Sequence, residues 1–219
     1  MGLKAVANWM LVAAILGLLG GCGSTPKQAF EKKETAPIKK IVLATVSEPN
    51  SFITLNANFL AFVPIVQLVV VVPSAYHSTQ FDKMMREQNP LLGEYMARAI
   101  ETKLRDGGYD IVPFSQLDND AILHLQFKNV GYVSNFFSLV YKPWIQAEAR
   151  LQSAKDNSQL YVQWFEYGGM AGKDVEFIPT DPEFHYWSFS ALKENPHAAA
   201  EGLKRGVILI AKRLAEQLR

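Results

Sequence analysis

The chain has 219 residues, 22 basic against 21 acidic side chains, a formal net charge of +1 and one cysteine. Charge this balanced excludes the electrostatic footprint of a nucleic-acid binder, and a lone cysteine excludes any disulfide within the chain. The length suits a single domain with a real core once the N-terminal segments are set aside.

Residues 1–4 carry one positive side chain, residues 5–19 form an apolar run, and Gly20-Gly21 leads into Cys22. This is the three-zone layout of an export signal. The run is shorter than the ~20 residues a spanning helix needs. Leu19-Gly20-Gly21-Cys22 resembles the lipobox of bacterial lipoproteins. The resemblance implies a signal peptide over 1–21, cleavage between Gly21 and Cys22, and lipidation of the Cys22 thiol followed by acylation of the new amino group. Gly23 and Ser24 follow, with no Asp directly after the cysteine. That pattern is similar to outer-membrane lipoproteins and implies an anchored domain facing the periplasm. The membrane, through acyl chains on Cys22, is then the first expected partner, since several chains hold far more firmly than one at ~0.8 kcal/mol per buried CH₂.

Residues 22–38 are expected to be a flexible tether: Gly, Ser, Thr, Pro, Lys and Glu dominate, and Phe30 is the one large aromatic. Such a segment buries too little apolar surface to offset its ordering entropy. A single domain then covers 39–219.

Within it, residues 38–46 form a β-branched run after two lysines, expected as a strand buried on both faces, and Glu48-Pro49-Asn50-Ser51 ends it with turn chemistry. Residues 59–73 form an apolar insertion, interrupted by Pro64 and Gln67 and closed by Pro73. Its valine-rich centre favours extended structure, so a buried strand or hairpin is expected. The alternative is a self-association or membrane-contacting surface. Residues 78–87 suit a short helix with Phe81, Met84 and Met85 on one side. Asn89-Pro90 then opens a second helix whose stripe is Leu92, Met96, Ile100 and Leu104, with Glu94–Arg98 and Glu101–Arg105 pairs outside and Gly107-Gly108 at its end.

Residues 109–113 form a short strand. Residues 121–133, 144–151 and 158–167 alternate as strands of an antiparallel meander with one wetter face. Asn195-Pro196 opens a C-terminal helix with the stripe Leu203, Val207, Ile210, Leu214 and Leu218, and Gly202 and Gly206 suit close packing on a sheet. The expected fold class is α/β (α+β): one mixed sheet of about four to five strands with an antiparallel meander, packed by two main helices.

Catalytic signals are sparse. Residues 168–174 (Gly-Gly-Met-Ala-Gly-Lys-Asp) lack the spacing and the hydroxyl of a phosphate loop, and Asp118-Asn119-Asp120 lacks the glycine and distal Glu of a calcium loop. No paired-His metal helix, dinucleotide fingerprint or Gly-x-Ser-x-Gly elbow is present, so no cofactor or metal is expected. His124 and Glu148 fall on the wetter faces of two strands which, if they are neighbours, could bring them together as an acid–base pair. Phe184, His185, Tyr186 and Trp187 form an aromatic segment that is a candidate binding surface.

The order of elements, and above all the helix, Gly-Gly-Tyr and short strand over 92–113, is similar to small α/β domains of periplasmic lipoproteins. These are the curli-secretion lipoprotein, the lipoprotein activators of peptidoglycan synthases, and the N-terminal domain of the Tol translocation protein. The resemblance implies a non-catalytic accessory, binding or scaffold role, with an envelope protein or a second copy as partner. The alternative is an oligomeric component of an export or transport assembly, and a third reading is a hydrolase built around His124.

Overall fold

The computed structural model describes residues 38–56, 64–113, 118–134, 140–169 and 174–219, with the side chains of 56 and 64–75 excepted. The signal peptide, the Gly21/Cys22 junction, the tether up to 37 and the first part of the apolar insertion (59–63) lie outside the described residues.

The sheet is built around one long strand, β4 (Ala121–Ser134), which pairs antiparallel with β5 (Tyr141–Ser153). β5 pairs antiparallel in turn with β6 (Gln159–Tyr167). These three are the expected meander. The other side of β4 is shared by two parallel strands laid end to end. β1 (Lys40–Leu43) pairs with its first residues, Ile41 opposite Ala121, and β2 (Ile53–Asn56) pairs with its last, Ile53 opposite Gly131. β3 (Asp110–Val112) lies parallel outside β1, and β7 (Val175–Ile178) lies parallel outside β6. The sheet therefore has seven strands instead of the expected four to five. The two that periodicity does not reveal, β2 and β7, are four residues each, too short to show an alternation.

The helices are α1 (Pro64–Gln88), α2 (Leu92–Asp106), α3 (Phe189–Glu194) and α4 (Pro196–Gln217). Leu203, Val207, Ile210 and Leu214 of α4 share one buried core with Leu123, Leu125, Ile145, Ala147, Leu151 and Phe165 of the meander. Burying one of these aliphatic side chains contributes about 1.5–3 kcal/mol. The two α4 glycines set the closeness of approach. A Cβ on Gly202 would stand 2.6 Å from the Tyr132 hydroxyl, and one on Gly206 would stand 2.2 Å from the Tyr167 ring.

The apolar insertion corrects the sequence expectation. From Pro64 onward it is helical, continuous with the segment expected to be a separate short helix, and Pro73 falls inside α1. A proline there removes one i→i−4 hydrogen bond. Propagation from the buried Phe81 and Met85 turns, at one bond per residue, outweighs both that loss and the weak extended preference of the valines. Among the described residues no helix is long and apolar enough to cross a membrane.

The start of α2 is a second correction. Asn89-Pro90 does not supply its cap: Leu91 occupies the N-cap position in left-handed geometry (φ 49°) and makes no side-chain capping bond. Glu48, from the connection between β1 and β2, supplies it instead. Its Oε1 accepts from Gly93 N at 2.8 Å and Glu94 N at 3.3 Å, placing a negative charge where the helix dipole favours one. The expected Glu94–Arg98 and Glu101–Arg105 pairs both form on the exposed side of α2.

Replacing Glu48 with Ala is expected to lower unfolding free energy by about 1 kcal/mol, the usual weight of a lost N-terminal cap. Urea denaturation measures this, and Glu48→Gln, which keeps the acceptor, is expected to lose less.

Candidate functional site

With the helices on one face, strand alternation turns a second set of meander side chains to the opposite, helix-free face. Register places Gln126 opposite Glu148 and Glu148 opposite Trp164, with His124 opposite Arg150 in the next row and Gln146 opposite Glu166 in the row beyond. The two residues singled out from sequence, His124 and Glu148, thus share a face and neighbouring strands. They do not form a pair. Glu148, only 2% exposed, receives Arg150 Nη2 at 2.7 Å and lies 3.0 Å from Lys128 Nζ. The Lys128 ammonium also stands 5.5 Å from the Trp164 ring centre, a cation–π contact. The carboxylate is enclosed by two cations, and His124 is left at the solvent-exposed edge of the cluster.

A second buried carboxylate, Glu166, accepts from Trp144 Nε1 at 2.9 Å. The backbone folds over this bond at Gly169 (φ 69°), where a Cβ would stand 2.2 Å from Glu166 Oε1. Gly168 (φ 73°) has its own constraint, 2.0 Å from the Pro143 carbonyl. Gly168 and Gly169, which superficially suggest a phosphate loop, are therefore fixed by close approaches at the end of β6. Residues 170–173 of that stretch lie outside the described residues.

Asp120 is also structural. Its Oδ2 accepts from the backbone N–H groups of Lys39 at 2.7 Å and Lys40 at 2.8 Å, and these bonds hold its carboxyl below the usual range. Asp118 pairs with the Lys40 ammonium. Among the described residues no group of three or more His, Cys, Asp or Glu side chains is placed to hold a metal ion.

The aromatic segment is split by its local fold. Phe184 ends a 3₁₀ turn (Pro182–Phe184) against Gly202 of α4. His185 Nε2 lies 2.7 Å from Thr180 Oγ1. Tyr186 is 8% exposed and its backbone bridges Tyr141. Trp187, in contrast, is 80% exposed. A second exposed aromatic side chain at this end of the sheet comes from α1, which sequence reasoning missed. His77 stacks on Phe189 with ring centres 4.0 Å apart, and Tyr76 beside it is 62% exposed. Tyr76 and Trp187 therefore flank the His77–Phe189 stack at the end of the sheet where β4 passes into β5. The signal in sequence was only their type, since the stacking of His77 on Phe189 joins residues far apart in the chain.

No family model matches the chain, and no curated protein matches it. Solved structures give distant likenesses. Protein XCC0632 from Xanthomonas campestris is 11% identical with a TM-score of 0.36, over 56% of this chain and 57% of that one. Lipoprotein GNA1162 from Neisseria meningitidis is 12% identical with a TM-score of 0.32, over 58% and 81%. A PelC dodecamer from Paraburkholderia phytofirmans is 12% identical with a TM-score of 0.34, over 87% and 95%.

Two outcomes are expected of this geometry. Burial and Lys193 push the His77 pKa down; burial and Lys142 push that of His185 down, against a smaller opposing effect of Asp181. Both imidazoles bind protons less readily in the fold than once unfolded. Stability is thus full above the unfolded pKa of about 6.5 and declines as pH falls through it. Thermal melts from pH 7.5 to 5 are expected to show this fall, with a shallower slope in His77→Phe, which keeps the stack. For the second, removing both cations in Lys128→Met/Arg150→Met strands Glu148 and is expected to cost about 3–5 kcal/mol. Adding Glu148→Leu to that pair is expected to recover most of the loss in urea titrations.

Proposed function

We propose that the chain is a lipid-anchored lipoprotein of the bacterial outer membrane that acts without catalysis, as a binding or scaffold component engaging another envelope protein from the end of the domain remote from its anchor. The observation that carries the reading is the exposure of Trp187 and of Tyr76, which lie beside the Phe189 and His77 rings stacked at that end. β1 enters the sheet beside Ala121, whereas Tyr186 and Tyr141 sit level with Ser134 at the far end of β4. The 14 residues of β4, at about 3.3 Å each, separate the two ends by roughly 43 Å. A domain hung from Cys22 is joined at the β1 end, so its aromatic end lies at the opposite end of the sheet from the attachment.

Exposed Trp and Tyr are the side chains that anchor protein interfaces, through large area at low entropy cost. The self-enclosed Lys128–Glu148–Arg150 cluster favours the non-catalytic reading, because the carboxylate is taken up by two cations and does not pair with His124. An oligomeric export component is the second reading, favoured by the apolar first half of α1.

Site-specific photo-cross-linking in cells separates these. A photoreactive residue in place of Trp187 is expected to give a discrete adduct with one envelope protein, and the same residue in place of Gln126 is expected to give none. An adduct only with further copies of the chain supports the assembly reading, and no adduct from position 187 contradicts the proposal.

A further inference from the structure

Two of the three open edges of the sheet are closed by the chain's own side chains. At β3, the Asp110 N–H donates to Lys39 O at 2.7 Å, which turns Asp110 and Val112 towards β1 and Ile111 outward; Arg105 Nη2 then donates to the Ile111 carbonyl at 3.2 Å. At β2, Ser78 Oγ accepts from Thr54 N at 3.1 Å and donates to Thr54 O at 2.8 Å, while Asp82 Oδ1 accepts from Phe52 N at 2.8 Å. Blocking of this kind prevents edge-to-edge pairing.

The third edge, β7, is different. Gly168 N donates to Ile178 O at 3.0 Å, so Ile178 and Glu176 turn their backbone towards β6, and Val175 and Phe177 turn theirs outward. Among the described residues no hydrogen bond closes that outward side. Phe177 is 41% exposed, on the same helix-free face as Val175 and Glu166.

We propose that β7 pairs antiparallel with the β7 of a second copy of this chain across a two-fold axis at Glu176, joining two seven-stranded sheets edge to edge. The register is self-complementary, as an isologous contact requires. Val175 of one copy lies opposite Phe177 of the other, and these are the two residues whose N–H and C=O point outward, so each pair exchanges both hydrogen bonds. On the helix-free face each exposed Phe177 ring covers the valine of the other copy, a favourable cross-strand pair. On the helix face Glu176 meets its own copy. Like charges there ordinarily repel, but each Glu176 is held by Arg213 Nε at 2.6 Å. Each carboxylate therefore meets its copy with a paired guanidinium behind it, which offsets part of that repulsion. A four-residue strand is a short contact, and anchoring on one membrane raises the effective concentration that favours it; this last step rests on the proposed lipid anchor.

In this register the two Glu176 Cα atoms stand about 4.5 Å apart as a non-hydrogen-bonded pair, inside the roughly 4.4–6.8 Å span of a disulfide. The Val175 pair is offset diagonally, beyond it. Cys22 is the chain's one native cysteine, so an introduced cysteine reports cleanly once that thiol is acylated. Membranes carrying Glu176→Cys, oxidised mildly, are expected to yield mostly covalent dimer, and Val175→Cys at least fivefold less. Adding Phe177→Pro, which removes an outward N–H and leaves the bonds to β6 intact, is expected to abolish the dimer with an unchanged far-ultraviolet spectrum.

Equal cross-linking of Glu176→Cys and Val175→Cys, or none from Glu176→Cys, overturns the proposal. The protein without an added cysteine is expected to stay monomeric on reducing-agent-free gels. A dimer in that control reports a free Cys22, a failure of the anchor. The same comparison on a Cys22→Ala background, at matched concentration in detergent, then decides the edge by the same two outcomes.

Discussion

The constraint on which the rest of this structure depends is the length of β4. A strand of 14 residues offers more edge than either β1 or β2 covers, and the two share it only because the connection between them, residues 44–52, leaves the sheet and returns in register. That connection holds its path through three side chains. Glu48 reaches the first turn of α2, Asp82 of α1 takes the Phe52 N–H, and Arg86 donates to the Asn50 carbonyl at 2.7 Å while pairing with Asp82. One loop thereby fixes both helices relative to the sheet. With α1 in place its Ser78 closes the β2 edge, and with α2 in place its Arg105 closes the β3 edge. Helix placement and edge protection follow from the same few hydrogen bonds.

What was legible in the sequence follows the same division. The meander strands announced themselves because each is long and faces a core on one side, so Leu123 and Leu125, Ala147 and Ala149, and Tyr161 and Phe165 recur with period two. α2 and α4 were legible from the Leu92 to Leu104 and Leu203 to Leu218 stripes, and the glycines of α4 from their spacing. The misreadings share a cause. β2 and β7 exist because a neighbouring strand offers them backbone partners, not because four residues prefer extension. The cap of α2 comes from Glu48, 45 residues away, so nothing next to Asn89 could disclose it. The valines of α1 carry an extended preference that continuity with a packed helix overrides. Of the candidate site, His124 and Glu148 were correctly placed on one face. That Glu148 is enclosed by Lys128 and Arg150 depends on a bulge in β4 between Phe127 and Asn129, which no alternation pattern shows.

The two faces of the sheet divide the work. The helix face holds the fold, in a core that Gly202 and Gly206 bring close to Tyr132 and Tyr167. The opposite face is a polar grid in which buried Glu148 is paired with Lys128 and Arg150 and buried Glu166 accepts from Trp144, and its edge ends on the unblocked β7. The aromatic end, where Tyr76 and Trp187 lie beside the His77–Phe189 stack, is at the opposite end of β4 from β1. With the proposed lipid at one end, the exposed aromatics at the other and the one unblocked strand along the side suit the proposed scaffold role.

That account stands on the anchor, and the intact mass of the mature protein recovered from membranes tests it most directly. The account predicts a chain beginning at Cys22, heavier by a diacylglyceryl thioether and an amide-linked acyl group, with both additions lost in Cys22→Ala. An unmodified mass, or a chain cleaved elsewhere than after Gly21, would contradict it and leave a domain whose aromatic end has no membrane to face away from.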